Sequence, residues 1–452
     1  MMPPTTPAAL LALALSAAQG GTPAAPPPAA APPAALAAPA PARVLTLDEA
    51  LRTARERQPA LRQAHAGTAA ASARADEALA PLLPQLTGTG NYERTTANIV
   101  RAGAPVGSKS LTSNDFWSFG VTLNQIIYDF GQGRGRWRAA AAVATSQEES
   151  ERAVALQTAL NVSVAYFNAR AARDLVGVAR DNVANMQAHL DQTEAFVRLG
   201  THPAIDLALA KTNRANAEVQ LINAENGSLA AKAQLNQAMG VDAPADYEVG
   251  NDALPAIDGE DQGIEPLLAE AVQRRPDVAA LASQVRASEL TIDSATGGYG
   301  PTLGFFAGYT AAGPTLSDTV PNWDAGIALT WNLFQGGLTR AQVREARANA
   351  DAARAQVDVL RGQVRVDVEQ ARLAVRAAKG ALAAANTALE NAREQLRLAN
   401  RRYETGVGSA IEQGDSQVAL ATAAAQRVQS EFNLSASRAQ LIHALGRETP
   451  RG

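Results

Sequence analysis

The chain has 452 residues, a net charge of −4 and no cysteine. The missing thiol excludes cysteine nucleophiles, zinc–thiolate sites, disulfides and lipidation on an N-terminal cysteine, and the mild acidity gives no footing for nucleic acid. Hydrophobic residues make up 46% of the chain but aromatics only 4%, a balance that suits closely packed alanine-rich helices better than a compact core of large side chains.

The N-terminus predicts an export signal over residues 1–18. A short Ala/Leu run from Ala8 to Ala18 ends in the small residues Ser16, Ala17 and Ala18, and it is too short to span a bilayer. No Lys or Arg precedes Arg43, so the usual basic start is missing. Residues 19–43 are rich in Pro and Ala and predict a semi-extended linker. No later stretch is long and apolar enough for a transmembrane helix, so any entry into a membrane must be as a β-barrel.

From there the chain runs through the same plan twice. The first repeat is assigned to residues 44–240 and the second to residues 263–446. An acidic, Pro-containing linker (241–262) joins them, and a short tail (447–452) follows. Gly200 and Gly406 sit in matching contexts, as do Gly240 and Gly446, and both pairs are 206 apart (406 − 200 and 446 − 240). Each copy opens with a helix interrupted by proline: Leu47 to Ala80 with Pro59, and Ile264 to Thr296 with Pro276.

Two strands come next in each copy. Phe119, Val121, Leu123 and Ile127 alternate with Gly120, Thr122, Asn124 and Ile126, with Gln125 as the exception. In the second copy Ala325, Ile327, Leu329, Trp331 and Leu333 alternate with Asp324, Gly326, Ala328, Thr330 and Asn332. A period of two is the mark of a strand with two unlike faces. Each strand has a partner before it: the segment from Pro84 matches the segment from Pro301. Trp117 and Trp323 are placed at the strand starts and Tyr128 and Phe334 at the far ends, like the aromatic girdle of an outer-membrane barrel. The alternative reading of the alternation is a soluble two-sheet domain with half-buried strands. Four strands cannot close a channel alone, so a barrel reading requires several chains.

After each hairpin comes a proline-free segment, about Arg136 to Leu199 and Leu338 to Glu404. Apolar residues recur every seven positions: Val162, Ala169, Val176, Val183, Leu190 and Val197, then Val368, Val375, Leu382, Leu389, Leu396 and Tyr403. Sustained heptads predict left-handed coiled coils. Turns at Gly200 and at Gly406–Gly408 reverse the chain, and these glycines are expected at positive φ. In the last helix Ile411, Val418, Ala425, Phe432 and Ala439 mark one seam column, and Val428 and Ile442 its companion.

This order resembles a TolC-type outer membrane factor, the exit duct of tripartite efflux pumps and type I secretion systems. The resemblance covers about Leu45 to Gly446. It rests on the duplicated helix–hairpin–long helix–return helix order and on Arg402-Tyr403-Glu404-Thr405-Gly406 followed by Glu412 and Asp415. It implies a mainly α fold with a membrane β-barrel: coiled-coil helices forming a periplasmic tunnel, and four strands per chain in a trimeric twelve-stranded barrel. It implies a homotrimer embedded in outer-membrane lipid in a Gram-negative bacterium, docked to a periplasmic adaptor (a membrane fusion protein) and an inner-membrane transporter of RND, ABC or MFS type. The alternative is a periplasmic coiled-coil adaptor or structural rod without a pore.

The resemblance also assigns roles. Glu412 and Asp415 become carboxylate rings that constrict the periplasmic entrance. Asp206 and Tyr403 become a hydrogen bond that holds it closed, although the arginine that often completes this lock falls at Gly408. Gly200, Thr201, Gly406 and Gly408 become the tips that meet the adaptor. Structural readings stand beside these. Ser409 and Glu412 fit a capping box, Asp206 fits the first turn after Pro203, and Tyr403 fits a plain seam residue.

The glycines of Gly131-Gln132-Gly133-Arg134-Gly135 lack the Gly-Lys-Ser/Thr and βαβ context of a phosphate loop and read as a strand-to-helix turn. His202 and Asp206 are four apart, but helix capping is the stronger reading. The four histidines (His65, His189, His202 and His443) are scattered and no nucleophile–base–acid set is visible, so neither an enzyme nor a cofactor or metal is expected.

Overall fold

A computed structural model describes residues 43–96, 113–201 and 203–448. The expected signal (1–18), nearly all of the linker (19–43), His202 and residues 449–452 lie outside the described residues. In chain order the elements are β1 (Arg43–Leu45), α1 (Leu47–Arg57), α2 (Pro59–Leu79), β2 (Gln85–Thr95), β3 (Asn114–Tyr128), α3 (Gln132–Arg198) and α4 (Ala204–Met239). They continue with β4 (Tyr247–Val249), α5 (Ile264–Arg274), α6 (Pro276–Gly297), β5 (Thr302–Thr315), β6 (Asp318–Thr330), α7 (Leu338–Glu404) and α8 (Ala410–Ala444).

The duplication holds to the residue in the long helices. Both α3 and α7 have 67 residues, about 100 Å at 1.5 Å per residue. Gly131 and Gly337 precede them at φ 86, a left-handed conformation that glycine adopts without a Cβ clash. Asp129 fixes the first turn, accepting from Gly131 N at 3.1 Å and Gly133 N at 2.5 Å. The glycines around residue 131 are therefore a strand-to-helix turn. The proline breaks repeat as well. Gln58 (φ −64, ψ 120) and Arg275 (φ −68, ψ 122) take the same extended conformation before Pro59 and Pro276, because the ring of a following proline disfavours the helical region.

The four remaining strands form one antiparallel sheet in the order β2-β3-β5-β6. Its register places Leu86, Leu123, Ala307 and Ala325 in one cross-strand row, and Tyr92 opposite Trp117. Directly paired residues share a face. One face thus carries Tyr92, Trp117, Phe119, Val121, Tyr309, Trp323 and Ile327, and the other carries Thr87, Thr89, Thr122, Asn124, Thr310 and Asp324. Gln125, the exception to the alternation, sits where the register shifts between Ile126 and Tyr128. Its amide turns back to donate to Leu82 O at 2.7 Å. Among the described residues neither edge strand, β2 or β6, has a further strand partner.

The strongest core lies midway along the helices. Leu45, Tyr166, Phe167, Leu235, Val368 and Leu441 are buried there among α1, α3, α4, α7 and α8. The inter-repeat linker closes around it. β4 pairs in parallel with β1, so the segment expected only to join the repeats adds a strand to the first. Asp252 accepts from Leu47 N at 2.7 Å and from Tyr166 OH at 2.9 Å. Glu260, 4% exposed, is held by Arg438 at 3.1 Å and Lys379 at 2.6 Å. Arg447, the first residue assigned to the tail, is tied to Glu270 at 2.7 Å and to Asp258 O at 2.9 Å.

Candidate functional site at the helical hairpin tips

Each pair of long helices ends in a tight turn. Gly200 and Gly406 both take φ 73, and each donates its N–H three residues back, to Val197 O at 3.0 Å and Tyr403 O at 3.1 Å. Leu199 (75% exposed) and Val407 (72%) project from the tips. Thr201 is exposed too, its hydroxyl donating to Phe196 O at 2.9 Å. Gly408 departs from the expectation of positive φ. Glycine is required there by space, since a Cβ would meet Tyr403 N at 2.9 Å and the Arg402 carbonyl carbon at 3.0 Å. Its N–H closes the turn on Arg402 O at 2.8 Å.

α8 then starts with Ser409 as its N-cap, the hydroxyl accepting from Glu412 N at 3.1 Å. The capping reading is therefore correct for the backbone of Glu412. Its carboxylate lies 3.1 Å from Arg402 Nε, across the turn within the same chain. Asp415, three residues on, is exposed. No arginine stands at position 408, but one reaches the same turn from position 402.

The seam between α7 and α8 is polar near the tip. Gln413 and Gln417 are buried (3% and 6% exposed), and Gln413 Nε2 donates to Asn400 Oδ1 at 2.9 Å. The expected column fails here. Ile411 and Val418 are 66% and 62% exposed, while Val428, Ala439 and Ile442 are buried. The heptad marks an apolar stripe correctly, but within one protomer α7 covers the neighbouring positions instead.

Tyr403 is buried (1% exposed). Its ring meets His189 on α3 edge-on, with centroids 5.6 Å apart, and lies 6.2 Å from the Phe196 ring. Asp206 sits in the first turn of α4, after Pro203, and its charge acts on the same imidazole. The residue that meets the Tyr403 ring and feels the charge of Asp206 is His189, which carries no role in the expected gate. His189 is 5% exposed and its Nδ1 has no hydrogen-bond partner. Burial pushes its pKa down, and Asp206 only partly offsets this. A lone histidine on a seam gives no sequence signal. Arg402 stands in the motif before the turn, but its pairing with Glu412 across that turn gives no sequence signal.

The aromatic residues of the sheet separate. Tyr92 and Trp117 are in contact at 4.5 Å between centroids, and Trp323 pairs with Tyr309. Trp117 and Trp323 lie three and five residues inside their strands rather than at the starts. Tyr128 ends β3, but β6 stops at Thr330, so Phe334 (88% exposed) stands in the turn before α7. Trp331 leaves the strand to donate to Tyr299 O at 3.1 Å. Among the described residues no helix is long and apolar enough to cross a membrane, and no three His, Asp or Glu are grouped to hold a metal.

The sequence model of the family described as outer membrane efflux protein matches residues 50–241 and 267–447. The chain is 24% identical over 372 residues to the toluene efflux pump outer membrane protein TtgC of Pseudomonas putida, covering 80% of this chain and 74% of that one. It is 27% identical over 344 residues to outer membrane protein OprJ of Pseudomonas aeruginosa, covering 73% and 68%. Among solved structures, the Campylobacter jejuni CmeC outer membrane channel superposes with a TM-score of 0.77 over 88% of this chain and 85% of that one, at 17% identity.

Proposed function

This chain belongs to the outer membrane efflux protein family, and from that premise we propose that three copies assemble into the gated exit duct of a tripartite pump. The chain is an outer-membrane efflux channel with a large periplasmic part. The trimer, the gate and the partners are the further reading. A four-stranded sheet with one apolar face, one polar face and two open edges carries it. Unpaired edges are not tolerated in lipid, so a sheet of this kind has to close on copies of itself. Three copies give twelve strands, apolar outward to lipid and polar inward to a water-filled lumen.

The helices continue the wall into the periplasm and end at the tips. There Asp415 lines the entrance as the main charge, and Tyr403 and Asp206 hold the hairpins together. The exposed Leu199, Thr201 and Val407 around Gly200, Gly406 and Gly408 meet a periplasmic adaptor. The adaptor in turn couples the duct to an inner-membrane transporter, which supplies the energy. The duct itself is passive, with no catalytic role. The test is single-channel recording of the purified protein in a planar bilayer, with trimer content measured in the same sample. Small, stable, cation-selective steps from trimers are expected. A well-folded sample that never inserts overturns the barrel.

A further inference from the structure

His189 is the buried group at the tips that the duct reading leaves without a task. It stands on α3, eleven residues before Gly200. It is fixed in place by its helix, with Thr193 OH donating to its carbonyl at 2.9 Å. Its ring makes one of the contacts between the two hairpins, with Tyr403 of α7 edge-on against it at 5.6 Å. Among the described residues, the titratable and charged groups on the elements around it include these. Asp206 is on α4, and Tyr403 itself is on α7. Arg402 on α7 and Glu412 on α8 are bound to each other at 3.1 Å, and Asp415 on α8 is exposed. Further up the groove Asp181 and Arg393 line a cavity of roughly 190 Å³.

An imidazole buried with an unpartnered Nδ1 is stable when neutral, because its charged form loses water and gains no hydrogen bond in exchange. Among the described residues Asp206 opposes this, and it does not outweigh burial. Separating the hairpins hydrates the ring and removes the penalty. A proton therefore binds better to the separated arrangement, and a ligand shifts an equilibrium toward the state it binds better.

Resting on the gated-duct reading, we propose that His189 is a proton-sensitive latch: neutral, it lets the hairpins close on Tyr403, and protonated, it parts them. Acidification of the periplasm then opens the entrance without any signal from the partners. The sign follows from the burial. The closed arrangement is favoured at pH above the ordinary histidine value, and it loses that advantage as pH falls through about 6.5.

The absence of native cysteine permits a direct measurement. Spin labels at Thr201→Cys and Val407→Cys report the separation of the two tips in trimers, while bilayer recording reports conductance. Between about pH 7.5 and 5.5 the wild-type tips are expected to separate and conductance to rise several-fold. His189→Gln, or His189→Phe if the first variant folds poorly, is expected to abolish both responses. A wild type indifferent to pH, or a variant that keeps the wild-type response, overturns the latch. Trimers that conduct with no pH response sink the latch alone. Tips that respond in a sample that never conducts sink the duct and leave the latch standing.

Discussion

Arg402 binds Glu412 across the turn that joins α7 to α8, Nε to carboxylate at 3.1 Å. This bond divides the labour of the two carboxylates at the entrance. Glu412 has a cation beside it, and Asp415, exposed on the same helix, does not share that bond. The cation preference of the pore should therefore depend mainly on Asp415. Reversal potentials in a salt gradient should show Asp415→Asn losing most of the preference and Glu412→Gln changing it little. Arg402→Gln, which frees Glu412, should increase it. The Arg402–Glu412 pair is itself exposed and contributes only about 0.2–1 kcal/mol, so none of these variants should unfold the protein. Equal losses from Glu412→Gln and Asp415→Asn would show that Arg402 leaves Glu412 free to act.

Tyr403 has two separable parts. The ring is buried against His189 and Phe196, and the hydroxyl is the partner proposed for Asp206. Tyr403→Ala removes the ring and leaves a cavity, at a cost of about 3–5 kcal/mol for an aromatic of this size, and should hold the entrance open. Tyr403→Phe keeps the ring and should lengthen open times only if the hydroxyl holds Asp206. Open times unchanged by Tyr403→Phe and lengthened by Tyr403→Ala would assign closure to packing alone.

These tip residues also mark where pattern reading stopped. The ends of α7, the proline breaks and the paired strands were legible because each has a local cause: a left-handed glycine, a restricted residue before proline, a period of two. The companions of Tyr403 were not. His189 and Arg402 act through tertiary neighbours, and a heptad says which stripe is apolar without saying what covers it. The heptad sets Ile411 and Val418 in a seam on that ground, yet α7 leaves them exposed. The linker read as acidic and Pro-rich, which hides the strand β4 and the side chains of Asp252 and Glu260 that fasten it.

The two glycines of the second tip should respond differently to alanine. Gly406 sits at φ 73 with open space around the missing Cβ, so Gly406→Ala costs about 1–2 kcal/mol of backbone strain and should leave Tyr403 in place. Gly408 has an ordinary φ, but a Cβ there meets the backbone of Arg402 and Tyr403. Gly408→Ala must displace that backbone and should raise conductance more than Gly406→Ala does. The reverse order would mean that turn strain, rather than the close approach, sets the gate.

Glu260 makes the belt around the helices sensitive to acid. Burial alone raises its pKa, but the hydrogen bonds from Arg438 and Lys379 outweigh burial and hold the carboxyl below its usual value. A carboxylate with a lowered folded-state pKa contributes stability that is fully present above its unfolded value and is lost as pH falls through the folded one. Thermal stability, followed by circular dichroism, should therefore fall below about pH 4.5. Glu260→Gln leaves Arg438, 15% exposed, without its anion and should cost about 3 kcal/mol or more at neutral pH. The variant should also lose part of the acid dependence, because the titrating group is gone. A variant as stable as the wild type at pH 7 would mean that the linker is held by Asp252 and the β1–β4 pairing, and that the ion pair merely decorates it.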